Sequence, residues 1–278
     1  MIRKIAQSVE TYSSEDVIQL LDRVLPILKN ESRLIKLPTS PLVFVGDTHG
    51  DWEATQGILD QFWHSTTVFV FLGDYVDRGS YQIENLNLLY ELKRRYPKRL
   101  VLLRGNHESP TVNRQYGFYD AVQRTFGELS EQYWATFAHL PLASVSPHLR
   151  IFAVHGGIPE QLKSIDEINE LPREVEIEHP VAFQLLWNDP QEALKGFAPS
   201  FRGGRARNFG QDVTNDFMAR NNLDLIIRAH EVFPHGFHEF FDGRVLSLFS
   251  CCNYRGPIDG KAFYVGATGN RELIPIKI

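Results

Sequence analysis

The spacing of apolar residues changes near residue 41 of this 278-residue chain. Before that point, apolar residues recur at helical spacing behind the capping signal "SSED": Val17, Leu20, Leu21, Val24 and Leu28. This pattern predicts a helix over about residues 14–28, although Pro26 should kink or end it. We interpret residues 1–40 as an N-terminal helical segment that packs against the rest of the protein and carries no chemistry.

From residue 41 onward, short apolar runs end in Gly, Asp, Asn or His, as strands do where they meet loops. The runs are "PLVFVGDTHGD", "VFVFLGDYVDRG", "RLVLLRGNHES", "RIFAVHGG", "LDLIIRAHE" and "RVLSLFSCCNYRG". Amphipathic stretches such as "SYQIENLNLLYELKRRYP" lie between the first of them. This alternation predicts βαβ crossovers and largely parallel pairing in the first half. The closely spaced strands after residue 244 indicate a mixed sheet or a second sheet.

The organisation of the chain favours one catalytic α/β domain over residues 1–278. The sequence contains no internal repeat, low-complexity tract or Gly/Ser-rich linker that would mark a domain boundary. In open α/β sheets, binding loops gather at one end of the strands. We therefore expect the polar residues at the strand ends to converge on a single site.

Composition narrows the class of partner. The formal net charge of -5 argues against nucleic-acid binding, which uses clustered Lys and Arg. The apolar runs are far shorter than the roughly 20 residues that span a membrane, and "MIRKIAQSVE" lacks an apolar signal region. These features predict a soluble, cytoplasmic protein with no membrane partner. We expect Cys251 and Cys252 to be reduced, packed thiols, with a redox pair as the alternative.

The strand-end residues form a set of oxygen and imidazole ligands without thiolates. A single Asp after a strand is usually a turn former, and a single His is usually at the surface or hydrogen-bonded in the core. The collection as a whole suits Mn, Fe or Zn and does not suit a structural cysteine-type zinc site. Its members are Asp47, His49, Asp74, Asn106, His155 and His230.

Two divalent ions about 3.5–4 Å apart need a carboxylate that bridges them. Asp74 is the expected bridge, with Asp47 and His49 completing one site. The other site is expected to use Asn106, His155 and His230. Such a centre attracts a phosphate dianion and lowers the pKa of bound water from about 15.7 to near 7. We therefore expect a metal-bridging hydroxide to attack phosphorus directly, without a covalent phosphoenzyme.

The segment "GDYVDRG" also contains Asp77 and Arg78. Arg78 can hold phosphate oxygens bidentately, because its planar guanidinium matches their geometry. A carboxylate at Asp77 beside His107 would favour the imidazolium and orient the ring, which makes His107 the candidate general acid for the departing alkoxide. The alternative is that Asp77 pairs with a structural arginine.

These motifs resemble the phosphoprotein phosphatase (PPP) family, the metal-dependent serine/threonine phosphatases that include calcineurin. "GDTHG", "GDYVDRG" and "RGNHE" match its three signature motifs. The similarity continues through "YGFYDAV", "LPLASV", "HGGIPEQL", "LLWNDP", "IIRAHE" and "FSCCNYRG", and so covers about residues 41–257. The resemblance implies a calcineurin-like metallophosphoesterase fold, in which a central β-sandwich of two mixed sheets is flanked by helices. It also implies the ligand roles and the acid pair assigned above.

The resemblance further implies a set of phosphate contacts: Arg78, Asn106, His107, Tyr254 and an arginine of "SFRGGRARNFG". We choose Arg202 for that arginine, with Arg205 and Arg207 as alternatives. The chain departs from the family pattern at Asp51, Glu231 and Cys251–Cys252, where Gln, Gln and Ala-Pro are common. These departures remove no ligand, but they should alter the shape and charge of the substrate groove.

The function that the resemblance implies is metal-dependent hydrolysis of phosphoserine and phosphothreonine in proteins, so phosphoproteins are the expected partners. A dinucleoside polyphosphate hydrolase, or another small-molecule phosphoesterase, would use the same metal centre. "GDYVDRG", "YGFYD" and "LLWNDP" resemble the protein-phosphatase branch more closely. A third alternative is a non-enzymatic binding scaffold, which should have lost ligands or the acid, whereas this sequence keeps them.

Overall fold

The computed structural model describes residues 2–63 and 66–278 of the chain. A short 3₁₀ helix spans Ile165–Glu170. The α-helices in the described residues are α1 (Ile2–Val9), α2 (Ser14–Lys29), α3 (Trp52–Phe62), α4 (Gln82–Arg95), α5 (Pro110–Tyr116), α6 (Phe118–Phe126), α7 (Ser130–Phe137), α8 (Pro180–Trp187) and α9 (Gln211–Arg220).

The strands in the same residues are β1 (Leu34–Lys36), β2 (Leu42–Val45), β3 (Val68–Phe71), β4 (Leu100–Leu102), β5 (Ala143–Ser146), β6 (Ile151–Val154), β7 (Asp189–Pro190), β8 (Phe197–Pro199), β9 (Arg207–Phe209), β10 (Leu225–Arg228), β11 (Phe237–Phe240), β12 (Val245–Leu248), β13 (Lys261–Val265) and β14 (Arg271–Pro275). Within the described part of the chain they form a larger sheet of order β1-β5-β6-β10-β12-β11 and a second sheet of order β14-β13-β2-β3-β4. A small sheet has the order β7-β9-β8.

The predicted βαβ alternation is present in the second sheet. β2, β3 and β4 pair in parallel, with α3 and α4 as the crossover helices. The hairpin of β13 and β14 then joins β2 in antiparallel orientation, which makes this sheet mixed. The larger sheet is mixed as well, because β10 is parallel to β6 and β12 while β11 is antiparallel to β12. The predicted fold class, two mixed sheets flanked by helices, is confirmed.

The core is divided into layers by the alternation of side chains along the strands. In β2, Leu42 and Phe44 lie in the apolar cluster between the two sheets. Val43 and Val45 point the other way, into a second cluster shared with helices α1 to α4, α6 and α7. Helices α8 and α9 cover the outer face of the larger sheet. Because both faces of the sheets are covered, strands such as β2 are apolar at every position.

The N-terminal segment differs in part from the prediction. The predicted helix is α2, capped by Ser13, but it continues through Pro26 and ends at Lys29. The structure adds α1, which packs on α3 and α4, and the strand β1, which pairs with β5. The segment is therefore not purely helical. An isolated helix of this length is marginal in water, so α1 depends on tertiary contacts that a local pattern does not report.

The two sheets approach each other at the end where their loops gather. Asp47, just after β2, forms an isolated parallel bridge with Phe249, just after β12. Gly46 is required there, since a Cβ would lie 2.4 Å from the carbonyl oxygen of Leu248. This close approach brings the loops of both sheets to one edge. In the described residues, no helix combines the length and apolarity that crossing a membrane requires.

Candidate metal centre and catalytic cleft

Left-handed backbone occurs at five of the candidate site residues. The φ angles are 44° at His49, 55° at Asp74, 66° at Asp77, 74° at Arg78 and 71° at His230. Non-glycine residues adopt such angles uncommonly, and they cluster at functional sites where the surrounding structure enforces them. Here they turn the chain sharply just after a strand, so that the side chains point into the space at the strand ends.

Glu108 supports the turn at Asp74. Its buried carboxylate accepts hydrogen bonds from the backbone N–H groups of Asp74 (2.9 Å), Tyr75 (2.9 Å) and Gly105 (2.8 Å). Gly105 has no room for a side chain, because a Cβ would lie 2.2 Å from Asp74 Oδ1. Sequence reasoning gave Glu108 no role. Its position directly after His107 in the third motif was the available signal.

Asp74 lies between two groups of ligand atoms. Its Oδ2 is 3.6 Å from His49 Nε2, and its Oδ1 is 3.4 Å from His155 Nε2. Asp47 Oδ2 lies 3.9 Å from His49 Nε2 on the first side. On the other side, His155 Nε2 is 2.9 Å from Asn106 Oδ1 and 3.1 Å from the Nδ1 atom of the sixth candidate, His230. All six predicted ligands are therefore brought together, with Asp74 shared.

The ring orientations of His49 and His155 leave their Nε2 lone pairs available. His49 Nδ1 donates to the carbonyl oxygen of Val76, and His155 Nδ1 donates to that of Leu72, each at 2.9 Å. Burial lowers the pKa of His49 to about 3, with nearby His107 adding to the effect. Burial likewise lowers the pKa of His155 well below its ordinary value. Neutral imidazole is the form that ligates a metal ion.

The ionised forms of the buried carboxylates would be stabilised by a nearby cation. Burial raises the pKa of Asp47 to about 7, against hydrogen bonding from the His230 N–H and the charge of Arg228. Burial also raises the pKa of Asp74 well above its ordinary value, and the charges of Asp47 and Glu108 add to this. His230 Nε2 is buried and has no hydrogen-bond partner among the described residues. Such a donor set fits divalent metal ions.

His107 and Asp77 form a hydrogen-bonded pair, with Nδ1 2.7 Å from Oδ2. His107 Nε2 is also 4.0 Å from Asp74 Oδ2, so distance alone would admit it as a ligand. The hydrogen bond from its Nδ1 to the Asp77 carboxylate sets it apart from His49 and His155, whose Nδ1 atoms face backbone carbonyls.

Burial and nearby charges, as well as Asp77, act on the pKa of His107. Burial, followed by the positive charges of Arg78 and Arg202, lowers the pKa of His107 to about 3. Burial raises the pKa of Asp77 to about 6. A phosphate dianion between the two arginines would offset their charge and favour protonation of the imidazole.

A cleft of about 330 Å³ opens over the ligand atoms. Arg78, Arg202 and Tyr254 line it with five of the six candidate ligands, all except His155. Arg205 and Arg207 instead contact the carbonyl oxygen of Glu178 and the carboxylate of Glu160. Arg202 is thus the arginine of "SFRGGRARNFG" that reaches the cleft. A larger hollow of about 660 Å³, lined among others by Arg3, Asp60 and Lys277, contains none of the candidate ligands.

Arg202 belongs to a charged network that the sequence did not reveal. Asp189 accepts hydrogen bonds from Arg202 Nε and from Arg228 Nη2. Glu231, where the family commonly has Gln, accepts from Arg228 Nη1 at 2.7 Å. Asp189 therefore anchors Arg202 at the cleft wall, and Glu231 partners the buried Arg228.

Asp51 holds the loop that carries Tyr254. The Tyr254 ring stacks on His49 with a centroid distance of 5.3 Å. Asp51 Oδ2 accepts from the N–H groups of Cys252 (2.7 Å) and Asn253 (3.0 Å), while Oδ1 caps α3. Two positions where the chain departs from the family pattern, Asp51 and the cysteine pair, are thus in direct contact. Both cysteines are buried and free, as expected of packed thiols.

Comparison with known proteins agrees with this geometry. A family model described as "Calcineurin-like phosphoesterase" matches residues 40–234. The chain is 37% identical over 228 residues to "Serine/threonine-protein phosphatase PP1-delta" of Caenorhabditis elegans, an alignment that covers 80% of this chain and 73% of that protein.

Solved structures show the same fold. A Saccharomyces cerevisiae protein serine/threonine phosphatase, described as similar to human phosphatase PP5, superposes with a TM-score of 0.87 and 28% identity. The match covers 96% of this chain and 90% of that one. A cold-active protein tyrosine phosphatase superposes with a TM-score of 0.64 at 18% identity over 89% of this chain and 82% of its own. At that identity the likeness concerns the fold alone.

Proposed function

The chain belongs to the calcineurin-like phosphoesterase family, and from this premise we propose that it is a metal-dependent phosphoprotein phosphatase of the PPP type. Its substrates in this proposal are phosphoserine and phosphothreonine monoesters in proteins. The observation that carries the proposal is the position of Asp74, whose two carboxylate oxygens face His49 on one side and His155 on the other. A phosphate group in the adjoining cleft would lie beside Arg78.

We propose the following division of the ligands. One ion would be held by Asp47, His49 and Asp74, and the other by Asp74, Asn106, His155 and His230. When bound, the two ions would supply positive charge opposite the phosphate and lower the pKa of a water molecule. Mn is the ion of choice for assays, and Fe and Zn suit the same nitrogen and oxygen donors.

The substrate-binding residues would act as donors to the phosphate oxygens. Arg78 and Arg202 line the cleft and can each give charge-assisted hydrogen bonds. Asn106 and Tyr254 line the same cleft. Because burial raises the pKa of Tyr254, its hydroxyl stays protonated and can donate. These contacts would orient the phosphorus and stabilise charge that develops on its oxygens.

His107 would protonate the leaving oxygen. Asp77 accepts the Nδ1–H at 2.7 Å, which turns Nε2 toward the cleft and fixes the ring. A serine or threonine alkoxide is a poor leaving group, so a proton delivered by Nε2 lowers the barrier to its departure. Asp77 would stabilise the charge on the imidazolium that donates this proton.

We propose residues 1–278 as one catalytic domain with residues 1–40 as its packing segment. Helices α1 and α2 share an apolar cluster with β2, β3 and β4, which supports this assignment. The cytoplasmic location stays a prediction from the sequence.

The substrate class can be tested with a panel assay. Phosphoserine and phosphothreonine peptides, together with diadenosine tetraphosphate, would be offered to protein that has been treated with chelator and reloaded with Mn. We expect the peptides to be turned over with the higher kcat/KM. Faster turnover of the dinucleotide would overturn the protein-phosphatase assignment and favour the small-molecule alternative.

The acid role has its own test in His107→Asn. We expect a much larger loss of kcat on a phosphoserine peptide than on p-nitrophenyl phosphate, because nitrophenolate leaves without a proton. Equal losses on the two substrates would reject proton donation by His107.

A further inference from the structure

A fully buried amide lies behind the His107–Asp77 pair. Asn113, on α5, donates from Nδ2 to Asp77 Oδ2 at 3.1 Å and to the carbonyl oxygen of His107 at 2.7 Å. Its Oδ1 accepts the indole N–H of Trp134, on α7, at 3.0 Å. The hydrogen-bonding groups of this side chain are thus all engaged, and two of the contacts reach the proposed acid pair.

The partners of Asn113 fix which way its amide points. The indole N–H can only donate, so it must face the amide oxygen. The carboxylate of Asp77 and the carbonyl of His107 can only accept here, so they must face the amide nitrogen. Trp134 and the two acceptors therefore all favour the orientation in which Asn113 donates to Asp77. Without the indole N–H, no donor would hold the amide oxygen of Asn113.

Trp134 is itself held firmly. Trp134 is 5% exposed, and its ring stacks on Tyr119, with centroids 5.9 Å apart and planes at 16°. The guanidinium carbon of Arg114 lies 4.6 Å from the indole centroid. The indole therefore has little freedom to turn its N–H away from Asn113.

Asn113 donates to Oδ2 of Asp77, the same oxygen that accepts from His107. Oδ2 accepts from both Asn113 and His107 Nδ1, while Oδ1 accepts from the Phe118 N–H at 2.8 Å. Donors on both oxygens prevent the carboxylate from rotating. A rotation would carry Asp77 Oδ2 away from His107 Nδ1. The imidazole could then rotate, and its Nε2 would no longer point toward the leaving oxygen.

We propose that Trp134 and Asn113 are positioning residues for general-acid catalysis, linked as Trp134–Asn113–Asp77–His107. The inference rests on the proposed function and extends it from the cleft to helix α7. It assigns neither residue a contact with substrate. Their contribution is to kcat for leaving groups that need a proton, and KM should not depend on them.

Trp134→Phe tests the chain of contacts, with Tyr133→Phe as the matched control. Tyr133 precedes it on α7, is also buried, and donates its hydroxyl to Asn87 Oδ1 at 2.8 Å. Each variant removes one buried donor from the same helix, but the Tyr133 hydroxyl is not bonded to Asn113 or Asp77. Kinetics on a phosphoserine peptide and on p-nitrophenyl phosphate, with thermal melting and metal content, would be compared.

We expect Trp134→Phe to lower kcat on the phosphoserine peptide by about three- to tenfold, the effect of one lost hydrogen bond. Its KM, and its kcat on p-nitrophenyl phosphate, should stay within about twofold of wild type. Tyr133→Phe should change neither substrate. Equal losses on both substrates, or equal losses in both variants, would overturn the positioning role.

A second measurement separates positioning from general loosening. In a His107→Asn background, Trp134→Phe should cause no further loss on the phosphoserine peptide, because the group it positions is gone. An additive loss would reject the inference. Should Trp134→Phe fail to fold, Asn113→Ala removes the donor to Asp77 and is expected to show the same substrate selectivity. Wild-type protein that is inactive on phosphoserine peptides would instead overturn the proposed function, before any variant is compared.

Discussion

The guanidinium carbon of Arg78 lies 3.8 Å from the centroid of the Tyr116 ring. The N–H of Arg78 also donates to the carbonyl oxygen of Tyr116. In the described part of the chain, no carboxylate forms an ion pair with Arg78. An aromatic face can therefore hold the guanidinium at the cleft while leaving its charge available to an anion.

The stacking predicts that Tyr116→Ala weakens phosphate binding. A cation–π contact at a partly exposed site contributes about 0.5–1 kcal/mol, so we expect about a two- to fivefold increase in the inhibition constant of inorganic phosphate. Tyr116→Phe keeps the ring and serves as the control. Loss of affinity in the Phe variant as large as in the Ala variant would implicate the hydroxyl and contradict this account.

Metal removal should lower thermal stability. The buried carboxylates of Asp47 and Asp74 favour a nearby cation, and a ligand at 100 times its Kd stabilises the folded state by about 2.7 kcal/mol. We expect added Mn to raise the Tm of chelator-treated protein by about 5 °C or more. Asp74→Asn removes the shared negative charge, so the gain should be smaller. An equal gain in that variant would argue against Asp74 as a shared ligand.

The contact between Asp51 and the Tyr254 loop predicts a combined effect of Asp51→Ala. Loss of the α3 cap should reduce the free energy of unfolding by about 0.5–2 kcal/mol, and release of the loop should raise KM several-fold, as expected when about one hydrogen bond is lost. Ser13→Ala removes the corresponding cap of α2, far along the chain from this loop. Ser13→Ala should show a similar loss of stability and leave KM unchanged. A raised KM in Ser13→Ala would mean that KM depends on stability alone.

Burial predicts opposite outcomes for two large apolar residues. Leu86 is fully buried in the cluster under α4, so Leu86→Ala should reduce the free energy of unfolding by about 2–5 kcal/mol. Phe201 is 86% exposed, and Phe201→Ala should change it by no more than about 0.5 kcal/mol. Urea denaturation measures both. A large loss at Phe201 would show that its ring is covered in solution.

The parts of the fold that the sequence predicted are those with local signals. The apolar runs of β2 and β3 are each followed by Gly-Asp, and this pattern at the strand ends predicted Asp47 and Asp74 as metal ligands. α1 was missed because its eight residues are too short for a periodic pattern to stand out. The predicted bounds of α2 agree closely with Ser14–Lys29, but Pro26 does not end the helix, whose apolar face is buried.

Contacts between distant parts of the chain explain the remaining differences at the site. Asp51 accepts a hydrogen bond from Cys252, about 200 residues later in the chain. Asn113, on α5, donates to Asp77, which precedes α4. Burial lowers the pKa of His107, and the charges of Arg78 and Arg202 add to this effect, although Arg202 lies far from His107 in the sequence. The sequence singled out Asp77, His107 and Arg202 but gave Asn113 no role, and only the folded chain shows which groups these side chains face.

The left-handed turns of "GDYVDRG" have a consequence for attempts to transplant this motif. The angle at Asp74 is held by Glu108, and the N–H of Asp77 is held by the side chain of Gln82, neither of which belongs to the seven residues. An excised peptide would relax to ordinary extended or helical angles and scatter its carboxylates. The isolated heptapeptide should therefore bind metal ions poorly.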